Sequence, residues 1–436
     1  MNRAEIPVDR TGAIGIAATP APDRLRVLTF TSLFPSQARP RHGIFVETRL
    51  AHLVHDCPVE ARVVAPVPWF PFDAPAFGDY ARFAATPRRA TRANGIEVAY
   101  PRYLMVPRLG VPLQPRNMAW AAAADIAQWQ RSGWRPDLID AHYLYPDGVA
   151  AAMLAERLRL PFVLTARGTD VNVLARMPGP GRRIRWAAAR AATVITVSGR
   201  LRDALIELGV DAAPIIVLRN GVDPAIFHPE DATLARQRLQ LPQGPIALCV
   251  GNLVPEKGFA LAIEMLRHVA SLRLVIVGDG PLRNELQALA QRTGVADRVT
   301  FLPVMQQAQL RSVYSAADVL LVTSIREGWP NVVLESLACG TPVAALDVGA
   351  VGDMLTDTAF GRIVPVRNAV QLAQAVQQLL TTGVDRVEQR QRAREHACRF
   401  DWKSISRAQL AVMTRAVSAA PVQGAEVFDR TVPRQP

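Results

Sequence analysis

The sequence predicts an α/β protein built from two doubly wound domains. Short apolar runs alternate with longer segments of helical periodicity, a pattern typical of parallel sheets covered by helices on both faces. The alternation occurs twice along the 436 residues, and a polar segment containing proline separates the two halves. A chain of this length suits two domains, and its composition, half hydrophobic and one fifth charged, suits a folded globular protein.

The first half starts at residue 24, after a leader at residues 1–23 that is poor in apolar runs and is expected to be disordered. Predicted strands occupy residues 26–31, 59–65, 137–141, 161–165, 193–197 and 215–218. Predicted helices occupy residues 45–55, 116–131, 148–159, 182–191 and 199–208. Residues 66–115 are rich in proline, arginine and aromatic side chains and are predicted to be irregular.

The second half contains predicted strands at residues 245–251, 274–278, 299–302, 318–323 and 342–346, and helices at 369–380, 386–399 and 402–417. These boundaries divide the chain into six segments. They are the leader (1–23), an N-terminal Rossmann-like domain (24–222), a linker (223–244), a C-terminal Rossmann-like domain (245–400), a closing helix (401–418) and a flexible tail (419–436).

The formal net charge of +12 has two interpretations, an ordinary basic surface or attraction to an anion such as a nucleotide or a phospholipid face. The arginines are spread along the chain without zinc-finger spacing or a recognition helix, so nucleic-acid binding is not expected.

Cys57, Cys249, Cys339 and Cys398 are isolated, which favours a reducing compartment. The sequence contains no signal peptide and no run of about 18 uncharged apolar residues, so a cytoplasmic protein is expected.

The strongest functional signal is the segment from Glu327 to Glu335, EGWPNVVLE, which follows a predicted strand. Pro330 suits the first turn of a helix, where a missing N–H costs little, and Gly340 suits the end of that helix. The free N–H groups at the helix start form an anion site. Glu335, about two turns further along, can accept hydrogen bonds from both hydroxyls of a ribose.

This segment resembles the E-x7-E motif of retaining glycosyltransferases of family 4, and the resemblance covers residues 24–418. It implies the GT-B fold, with two Rossmann-like domains facing each other across a cleft and a C-terminal helix that returns to the N-terminal domain. It also implies that residues 24–222 form the acceptor domain and residues 245–400 the nucleotide-sugar domain. A UDP- or GDP-linked sugar donor would be held mainly by the C-terminal half, with Glu327 on the sugar and Glu335 on the ribose. Gly328, Pro330 and Asn331 match the family pattern and are assigned to donor binding. Two surface glutamates on a helix are the alternative interpretation.

A second motif, Gly251-Asn252-Leu-Val-Pro-Glu-Lys257-Gly258, connects a predicted strand to a helix. A lysine on such a turn can contact a diphosphate. The segment resembles the family's G-R-x(3–4)-K-G loop, whose Arg and Lys neutralise the pyrophosphate. Lys257 matches this loop, whereas Asn252 stands where arginine is usual, and Arg326 or Arg219 could compensate. A solvated turn lysine is the alternative.

The turn that contains Gly278 and Gly280 follows another apolar strand and resembles the family's V-G-x-G-P turn near the nucleotide base. A lone Gly-x-Gly is a weak signal, so it supports the fold more than the chemistry.

Further candidates in the N-terminal half lie at predicted strand ends, where ligands of open α/β sheets gather. His142 can donate to a sugar hydroxyl and resembles a family histidine near C6 of the sugar, although a histidine satisfied within its own loop is the alternative. Arg167 replaces a family histidine and is assigned to phosphate contact. Ser198 is assigned to the donor.

Gly43 and the segment Asn220-Gly-Val-Asp223 complete the candidates of this half. Gly43 resembles the glycine of a family loop that faces the donor phosphate and the acceptor. Residues 220–223, with Phe227, match the family's N-G-V-D-x(3)-F hinge and are interpreted as a tight turn.

No Ser-His-Asp set, HExxH motif or Walker loop occurs, and no cluster of metal ligands is visible in the sequence. The resemblance implies retention at the anomeric carbon, by front-face attack with the leaving phosphate as the base. The protein would then orient the reactants and stabilise charge on the departing nucleotide, through Lys257 and helix-start N–H groups. We expect neither metal nor cofactor, since the nucleotide sugar is a substrate.

The segment 66–115 combines the sequence Trp69-Phe-Pro-Phe72 with six arginines, Arg82, Arg88, Arg89, Arg92, Arg102 and Arg108. Aromatic rings beside cations suit an anionic lipid surface. We therefore expect a glycan or polyprenyl-diphosphate-linked acceptor and peripheral contact with the cytoplasmic face of the inner membrane. A surface loop with its own small aromatic cluster is equally consistent with this segment.

Within the family, the sequence looks like bacterial exopolysaccharide and teichuronic-acid enzymes. A sugar-nucleotide epimerase and a non-catalytic nucleotide-sugar-binding protein are the alternative functions.

Overall fold

The computed structural model describes residues 24–105, 112–212 and 215–419. The predicted leader, Arg108 and the predicted tail beyond residue 419 lie outside this part of the chain. Strands β1 to β10 occupy Leu25–Phe30, Val59–Val64, Val67–Pro68, Arg89–Thr91, Glu97–Ala99, Arg102–Tyr103, Leu138–His142, Phe162–Ala166, Thr193–Thr196 and Ile215–Val217. Strands β11 to β16 occupy Ile246–Val250, Arg273–Val277, Val299–Leu302, Val319–Val322, Val343–Leu346 and Gly361–Val364.

Helices follow the strands in both halves. Helices α1 to α7 are Ile44–Asp56, Asp79–Ala85, Gln114–Arg131, Val149–Leu158, Thr169–Asn172, Pro178–Ala188 and Gly199–Glu207. Helices α8 to α16 are Ala232–Arg238, Phe259–Met265, Arg283–Arg292, Gln307–Ala316, Asn331–Ala338, Val351–Met354, Ala369–Leu380, Arg386–Cys398 and Trp402–Ser418. Within the described residues, no helix has both the length and the apolar character needed to cross a bilayer.

The first sheet has the order β10-β9-β8-β7-β1-β2-β5-β4, and its neighbouring strands are parallel except for the β4–β5 pair at one edge. Val27 and Leu28 are adjacent on β1 and pack into different apolar clusters, Val27 with Leu50 of α1 and Leu28 with Met118 of α3. Because side chains alternate along a strand, both faces of the sheet are covered. This explains why apolar residues occupy neighbouring positions of the strand, as at Val27 and Leu28.

The second sheet is parallel throughout and has the order β13-β12-β11-β14-β15-β16. The chain adds strands on one side of β11 and then crosses to add β14 on its other side. This arrangement is a doubly wound sheet, and ligands bind at the carboxyl ends of the strands where the order reverses. The predicted pair of doubly wound α/β domains is confirmed.

Helix α16 returns to the N-terminal domain, as the sequence resemblance implied. Its Met413 and Ala416 are buried in the same apolar cluster as Leu50 of α1. The ring of Trp402, at its start, stacks on His52 with centroids 5.1 Å apart. The two segments that cross between the domains run side by side, because the backbone N–H of Val222 donates to the carbonyl oxygen of Phe400 at 2.9 Å.

Two segments contain more secondary structure than the sequence predicts. Residues 66–115, expected to be irregular, contain α2 and strands β3 to β6, since short strands with little apolar alternation give a weak signal. Residues 223–244, expected to be a linker, contain α8, which packs on α11 of the second domain. Helix α12 begins at Asn331, so Pro330 is its N-cap residue.

The arginines of the 66–115 segment point in different directions. Arg89 donates to Asp125 at 2.7 Å, Arg92 pairs with Glu47, and Arg102 donates to the backbone oxygens of Ala84 and Thr86. Arg82 and Arg88 are exposed. The basic surface of this segment is therefore smaller than the composition suggests.

Candidate active site

A cleft of about 1330 Å³ lies between the carboxyl ends of the two sheets. One wall is formed by the loops that follow β11, β12 and β14, and the other by the loops that follow β1, β7 and β8. Ten of the residues assigned from the sequence line this cleft: Gly251, Asn252, Lys257, Gly278, Glu327, Gly328, Pro330, Asn331, Glu335 and Arg167. Two loops that carry the motifs thus meet at the strand-order reversal of the second sheet.

Lys257 and Glu327 form an ion pair on the C-terminal wall. The Lys257 Nζ atom lies 2.6 Å from Oε1 of Glu327, and the Ser324 hydroxyl donates to the same oxygen at 2.7 Å. The Lys257 side chain is 29% exposed and that of Glu327 is 13% exposed. Both groups therefore reach the cleft while their orientation is held by hydrogen bonds.

The loops after β11 and β14 are tied together, which brings Lys257 to Glu327. The backbone N–H of Ile325 donates to the carbonyl oxygen of Glu256 at 2.8 Å, and the Thr323 hydroxyl donates to that of Lys257 at 3.0 Å. Arg367 donates to the Thr323 carbonyl oxygen at 2.8 Å from outside the loops. The Lys257–Glu327 ion pair is therefore carried by two loops whose backbones are hydrogen-bonded to each other.

Glu335 lies on α12, and its Oε2 accepts a hydrogen bond from the Tyr314 hydroxyl at 2.7 Å. Burial raises the pKa of Glu335 to about 7, and the hydrogen bond from Tyr314 opposes this effect. The carboxyl group is thus poised between its charged and neutral forms at neutral pH. Tyr314 is a residue that the sequence motif alone does not reveal.

Glycine turns close the end of the cleft near β11 and β12. The N–H of Gly251 donates to the Val277 oxygen at 3.0 Å, so the two turns lie against each other. At Gly278, whose φ is 151°, a Cβ atom would overlap the carbonyl oxygen of Gly251. Gly280 contacts the backbone of Leu253 in the same way and lies behind the cleft lining.

Arg167 forms the opposite wall, at the end of β8. Its guanidinium stacks over the Phe45 ring, 5.3 Å from the centroid, and donates to Nδ1 of His142 at 2.7 Å. Burial and the neighbouring Arg49 lower the pKa of Arg167 to about 9, so the group is still charged at neutral pH. A fixed cation therefore faces the cleft from the N-terminal domain.

His142 lies behind Arg167 and is 1% exposed. Its Nδ1 accepts from Arg167, and its Nε2 lies 3.1 Å from Oδ2 of Asp140. The contact with a sugar hydroxyl expected from the sequence is not made in this arrangement, because both ring nitrogens already have partners and Arg167 stands between the ring and the cleft.

Two other assigned residues do not line the cleft. Ser198 is fully buried and caps α7, where its hydroxyl accepts from the N–H of Leu201 at 3.3 Å. Gly43 precedes α1 and lies against the carbonyl group of Leu33, although Leu33 itself lines the cleft. Both residues shape loops and do not face the donor space.

The two proposed replacements for the missing arginine differ in position. Arg326 is exposed and lines the cleft beside Glu327. Arg219 lies outside the cleft lining, and its Nη2 is 3.3 Å from Oδ2 of Asp353. Arg326 and Arg167 are therefore the described arginines placed to assist Lys257, together with Arg41 at the N-terminal edge.

The domains touch at the Gly168–Gly328 contact. A Cβ atom on Gly328 would overlap the carbonyl oxygen of Arg167, and one on Gly168 would lie 3.1 Å from the Cα of Gly328. Beside this contact, Nδ2 of Asn220 donates to Oδ1 of Asn331 at 3.2 Å. The loop that carries Glu327 is therefore packed directly on the loop that carries Arg167.

Family models cover most of the described chain. The model for "Glycosyltransferase Family 4" matches residues 79–226, and the model for "Glycosyl transferases group 1" matches residues 231–398. A Bacillus subtilis protein named as a teichuronic acid biosynthesis glycosyltransferase is 33% identical over 367 residues, which span 81% of this chain and 88% of that protein. The chain belongs to the family 4 glycosyltransferases. A D-inositol 3-phosphate glycosyltransferase of Acidothermus cellulolyticus is 35% identical over 69% of this chain and 72% of that protein.

Solved structures share the fold of this glycosyltransferase. Sucrose-phosphate synthase from Thermosynechococcus elongatus has a TM-score of 0.73 and 21% identity, over 91% of this chain and all of that chain. Anabaena HepE in complex with UDP has a TM-score of 0.69 and 20% identity, over 90% of this chain and 99% of that chain. The GT-B fold implied by the sequence is confirmed.

Sequence reasoning missed several residues that shape the site of the glycosyltransferase. Ser324 and Tyr314 orient the two glutamates, and Asn220 joins the domains. Asn220 was recognised in the hinge motif as part of a tight turn, and its contact with the other domain was the part that was missed. Tyr314 and Ser324 lie within ordinary helix and loop sequence, which gives no signal for a contact across the fold.

Proposed function

We propose that this glycosyltransferase moves a sugar from a nucleotide-sugar donor, with retention at the anomeric carbon, to a glycan or polyprenyl-diphosphate-linked acceptor in surface-polysaccharide synthesis. The observation that carries the proposal is the Lys257–Glu327 pair at 2.6 Å, located on one wall of the cleft with Glu335 and opposite Arg167. Such a wall presents a cation for phosphate and carboxylates for hydroxyl groups.

The donor is assigned to the C-terminal wall. The Glu335 carboxylate accepts the ribose hydroxyls, the glycine turns at 251 and 278 leave room for the base, and Glu327 accepts hydroxyls of the transferred sugar. Lys257, Arg167 and Arg326 face the diphosphate. Binding of UDP by HepE, which shares the fold, is consistent with a uridine nucleotide as the first donor to test.

In the proposed reaction, the bond from the anomeric carbon to the phosphate oxygen breaks and the acceptor oxygen bonds to that carbon on the same face. The acceptor proton goes to the departing phosphate. The protein orients the reactants and stabilises the negative charge that develops on the leaving group, a task for Lys257 and Arg167. We propose that these protein cations make a metal ion unnecessary, which predicts full activity in the presence of EDTA.

Contact with a membrane is proposed from an aromatic face in the 66–115 segment, formed by Trp69, Phe70, Phe72, Phe77 and Tyr80. Trp69 is 52% exposed and Phe72 is 55% exposed, and the Phe72 and Phe77 rings stack with centroids 5.2 Å apart. Large exposed apolar patches on soluble domains mark interaction sites, and aromatic rings suit the lipid interface. Arg82 and Arg88 supply positive charge nearby.

The proposal on the membrane is tested by sedimentation with liposomes containing phosphatidylglycerol. The double variant Trp69→Ser/Phe72→Ser should lose binding. Val387→Ser, at a still more exposed apolar side chain of the second domain, is the control and should bind as the natural protein does. Equal binding by all three proteins overturns membrane contact through this face.

The function itself is tested by a panel of UDP-, GDP- and ADP-sugars, with melting temperature and nucleotide release as readouts. One nucleotide should raise the melting temperature by mass action, and acceptor addition should accelerate its release. An isomerised donor in place of a transferred sugar would identify an epimerase. Binding without any turnover would identify a nucleotide-sugar-binding protein.

A further inference from the structure

A closed ring of six hydrogen-bonded side chains lies beneath the N-terminal wall of the cleft. Its members come from β7, the end of β8, the hinge, α1 and α16, and are Asp140, His142, Arg167, Asn220, Arg49 and Gln409. Asp140 is fully buried, Arg49, His142 and Gln409 are 1% exposed, and Asn220 is 4% exposed. Of the six, Arg167 and Asn220 reach the cleft.

One half of the buried ring has been described above, from Asp140 through His142 to Arg167. The other half starts at Arg167, whose Nη1 donates to Oδ1 of Asn220 at 3.3 Å. The same oxygen accepts from Nη1 of Arg49 at 3.2 Å. Asn220 thus joins the two guanidinium groups, and its Nδ2 reaches Asn331 in the other domain.

Gln409 of α16 closes the ring. Its Oε1 accepts from Nε of Arg49 at 2.6 Å, and its Nε2 donates to Oδ2 of Asp140 at 3.2 Å. Gln409 lies 269 residues from Asp140 in the sequence, so this closure depends on the return of α16 to the N-terminal domain.

The buried ring carries two guanidinium charges against one carboxylate, because burial lowers the pKa of His142 and keeps its ring neutral. Among the described residues, Nη2 of Arg49, Nε of Arg167 and Oδ1 of Asp140 have no hydrogen-bond partner. Buried charges and incompletely paired polar atoms are costly to a fold. An apolar core would hold α16 in place without this cost, so packing alone does not explain the ring.

We propose that Gln409 and Arg49 are positioning residues that hold the Arg167 guanidinium toward the donor diphosphate. In this proposal Arg167 contacts the donor, whereas neither Gln409 nor Arg49 lines the cleft. Asn220 links the ring to the start of α12 through its hydrogen bond to Asn331. The role of Arg167 rests on the proposed function, whereas its orientation by the ring does not. Helix α16, which follows the second domain in the sequence, thereby sets the geometry of a cation at the end of β8.

The test uses Gln409→Met, which keeps the side-chain volume and removes both hydrogen bonds. In a crystal structure of this variant, Arg167 should leave its bonds to His142 and Asn220. Nucleotide release, measured with UDP-glucose or the donor identified by the panel, should fall about tenfold, since small misplacements of an active-site group have effects of this size. Arg49→Lys keeps the positive charge but lacks the planar guanidinium that bridges Gln409 and Asn220. This variant should also lower the rate of nucleotide release.

A double-mutant cycle separates positioning from stability. In an Arg167→Gln background, Gln409→Met should have no further effect on nucleotide release, while its effect on melting temperature should persist. Gln389→Met is the matched control, because Gln389 is also a fully buried glutamine and lies in the other domain. Its Nε2 donates to the carbonyl oxygens of Ala359 and Leu379, and its Oε1 accepts from Arg386 at 3.4 Å. It should lower the melting temperature and leave Arg167 in place.

Two results overturn the proposal. One is a Gln409→Met structure in which Arg167 has not moved, and the other is an equal loss of turnover in both Arg167 backgrounds. If the natural protein releases nucleotide from no donor, the proposed function fails in the kinetic experiment, and the crystal structure still decides whether the ring positions Arg167.

Discussion

Arg167 donates a 2.7 Å hydrogen bond to Nδ1 of His142, which fixes the tautomer of the imidazole. An arginine has no acceptor atom, so Nδ1 must be the unprotonated nitrogen and Nε2 carries the proton toward Asp140. The histidine that the sequence pointed to as a sugar ligand therefore acts as a neutral spacer between a carboxylate and a guanidinium.

This tautomer predicts the effect of His142→Phe, which fills the space and removes the acceptor. Nucleotide release should fall about tenfold through loss of Arg167 orientation. Since burial lowers the pKa of His142 from its ordinary value, the ring stays neutral between pH 7 and 8, and the fold-loss should be constant over that range. Steady-state rates at several pH values check this. A loss that grows or shrinks with pH in this range would assign His142 a proton-transfer role.

Glu327→Gln should separate binding from transfer. The amide keeps the shape of the side chain but lacks the charge that pairs with Lys257 and accepts sugar hydroxyls. Turnover should fall by about 100-fold or more, the size seen when a group that acts in the transition state is removed. Calorimetry should show nucleotide affinity within a few fold of the natural protein. A variant that transfers sugar normally would contradict the assignment of Glu327.

Nucleotide affinity should depend on the ionisation of Glu335, whose pKa is raised to about 7 by burial. A ribose hydroxyl donates to a carboxylate, so affinity should rise with pH and level off above the pKa. One pH unit below it, about a tenth of the molecules carry the charge, and the apparent Kd should be about tenfold weaker. Calorimetric titrations with UDP, or the nucleotide found in the panel, at pH 6, 7 and 8 measure this.

Two variants control for other groups that titrate in this range. Glu335→Gln should bind weakly and without pH dependence. Tyr314→Phe removes the hydrogen bond that opposes the rise in the pKa of Glu335. In this variant, the pH at which nucleotide affinity rises should therefore be higher than in the natural protein. An unchanged transition in Tyr314→Phe would mean that another group controls affinity.

Gly328→Ala should push the domains apart, because the added methyl group would overlap the Arg167 carbonyl oxygen. Small-angle scattering should show a larger radius of gyration, and turnover should fall while the melting temperature changes little. Gly179→Ala on α6 is the control, since a Cβ there has no neighbour within 4 Å. If Gly328→Ala retains full activity, the close approach of the two loops is not needed for transfer.

Much of this arrangement follows from local sequence. Strand and helix alternation predicts both sheets, because a buried parallel strand must be apolar on both faces, as β1 is. The spacing from Glu327 to Glu335 is also local, since one loop and one helix carry both carboxylates. Lys257 could be assigned to the same site because ligands gather at the carboxyl ends of parallel strands.

The contacts that adjust these groups were not predictable from one sequence. Tyr314 sits 21 residues before Glu335, and Gln409 sits 269 residues after Asp140, with no motif around either residue. The burial of His142 depends on Arg167, which comes from the next strand. Long-range pairs of this kind leave no periodic pattern, so only the folded arrangement reveals them.

The side-by-side crossings at Val222 and Phe400 have a consequence for how this protein can be divided. The first domain takes helix α16 from the stretch of chain that follows the second domain, and Met413 and Ala416 of that helix are buried against Leu50. A fragment that stops at the hinge would expose that apolar surface to water and leave Arg49 without Gln409. An autonomous first domain therefore requires two separate stretches of coding sequence, whereas the second domain can be excised as a single piece.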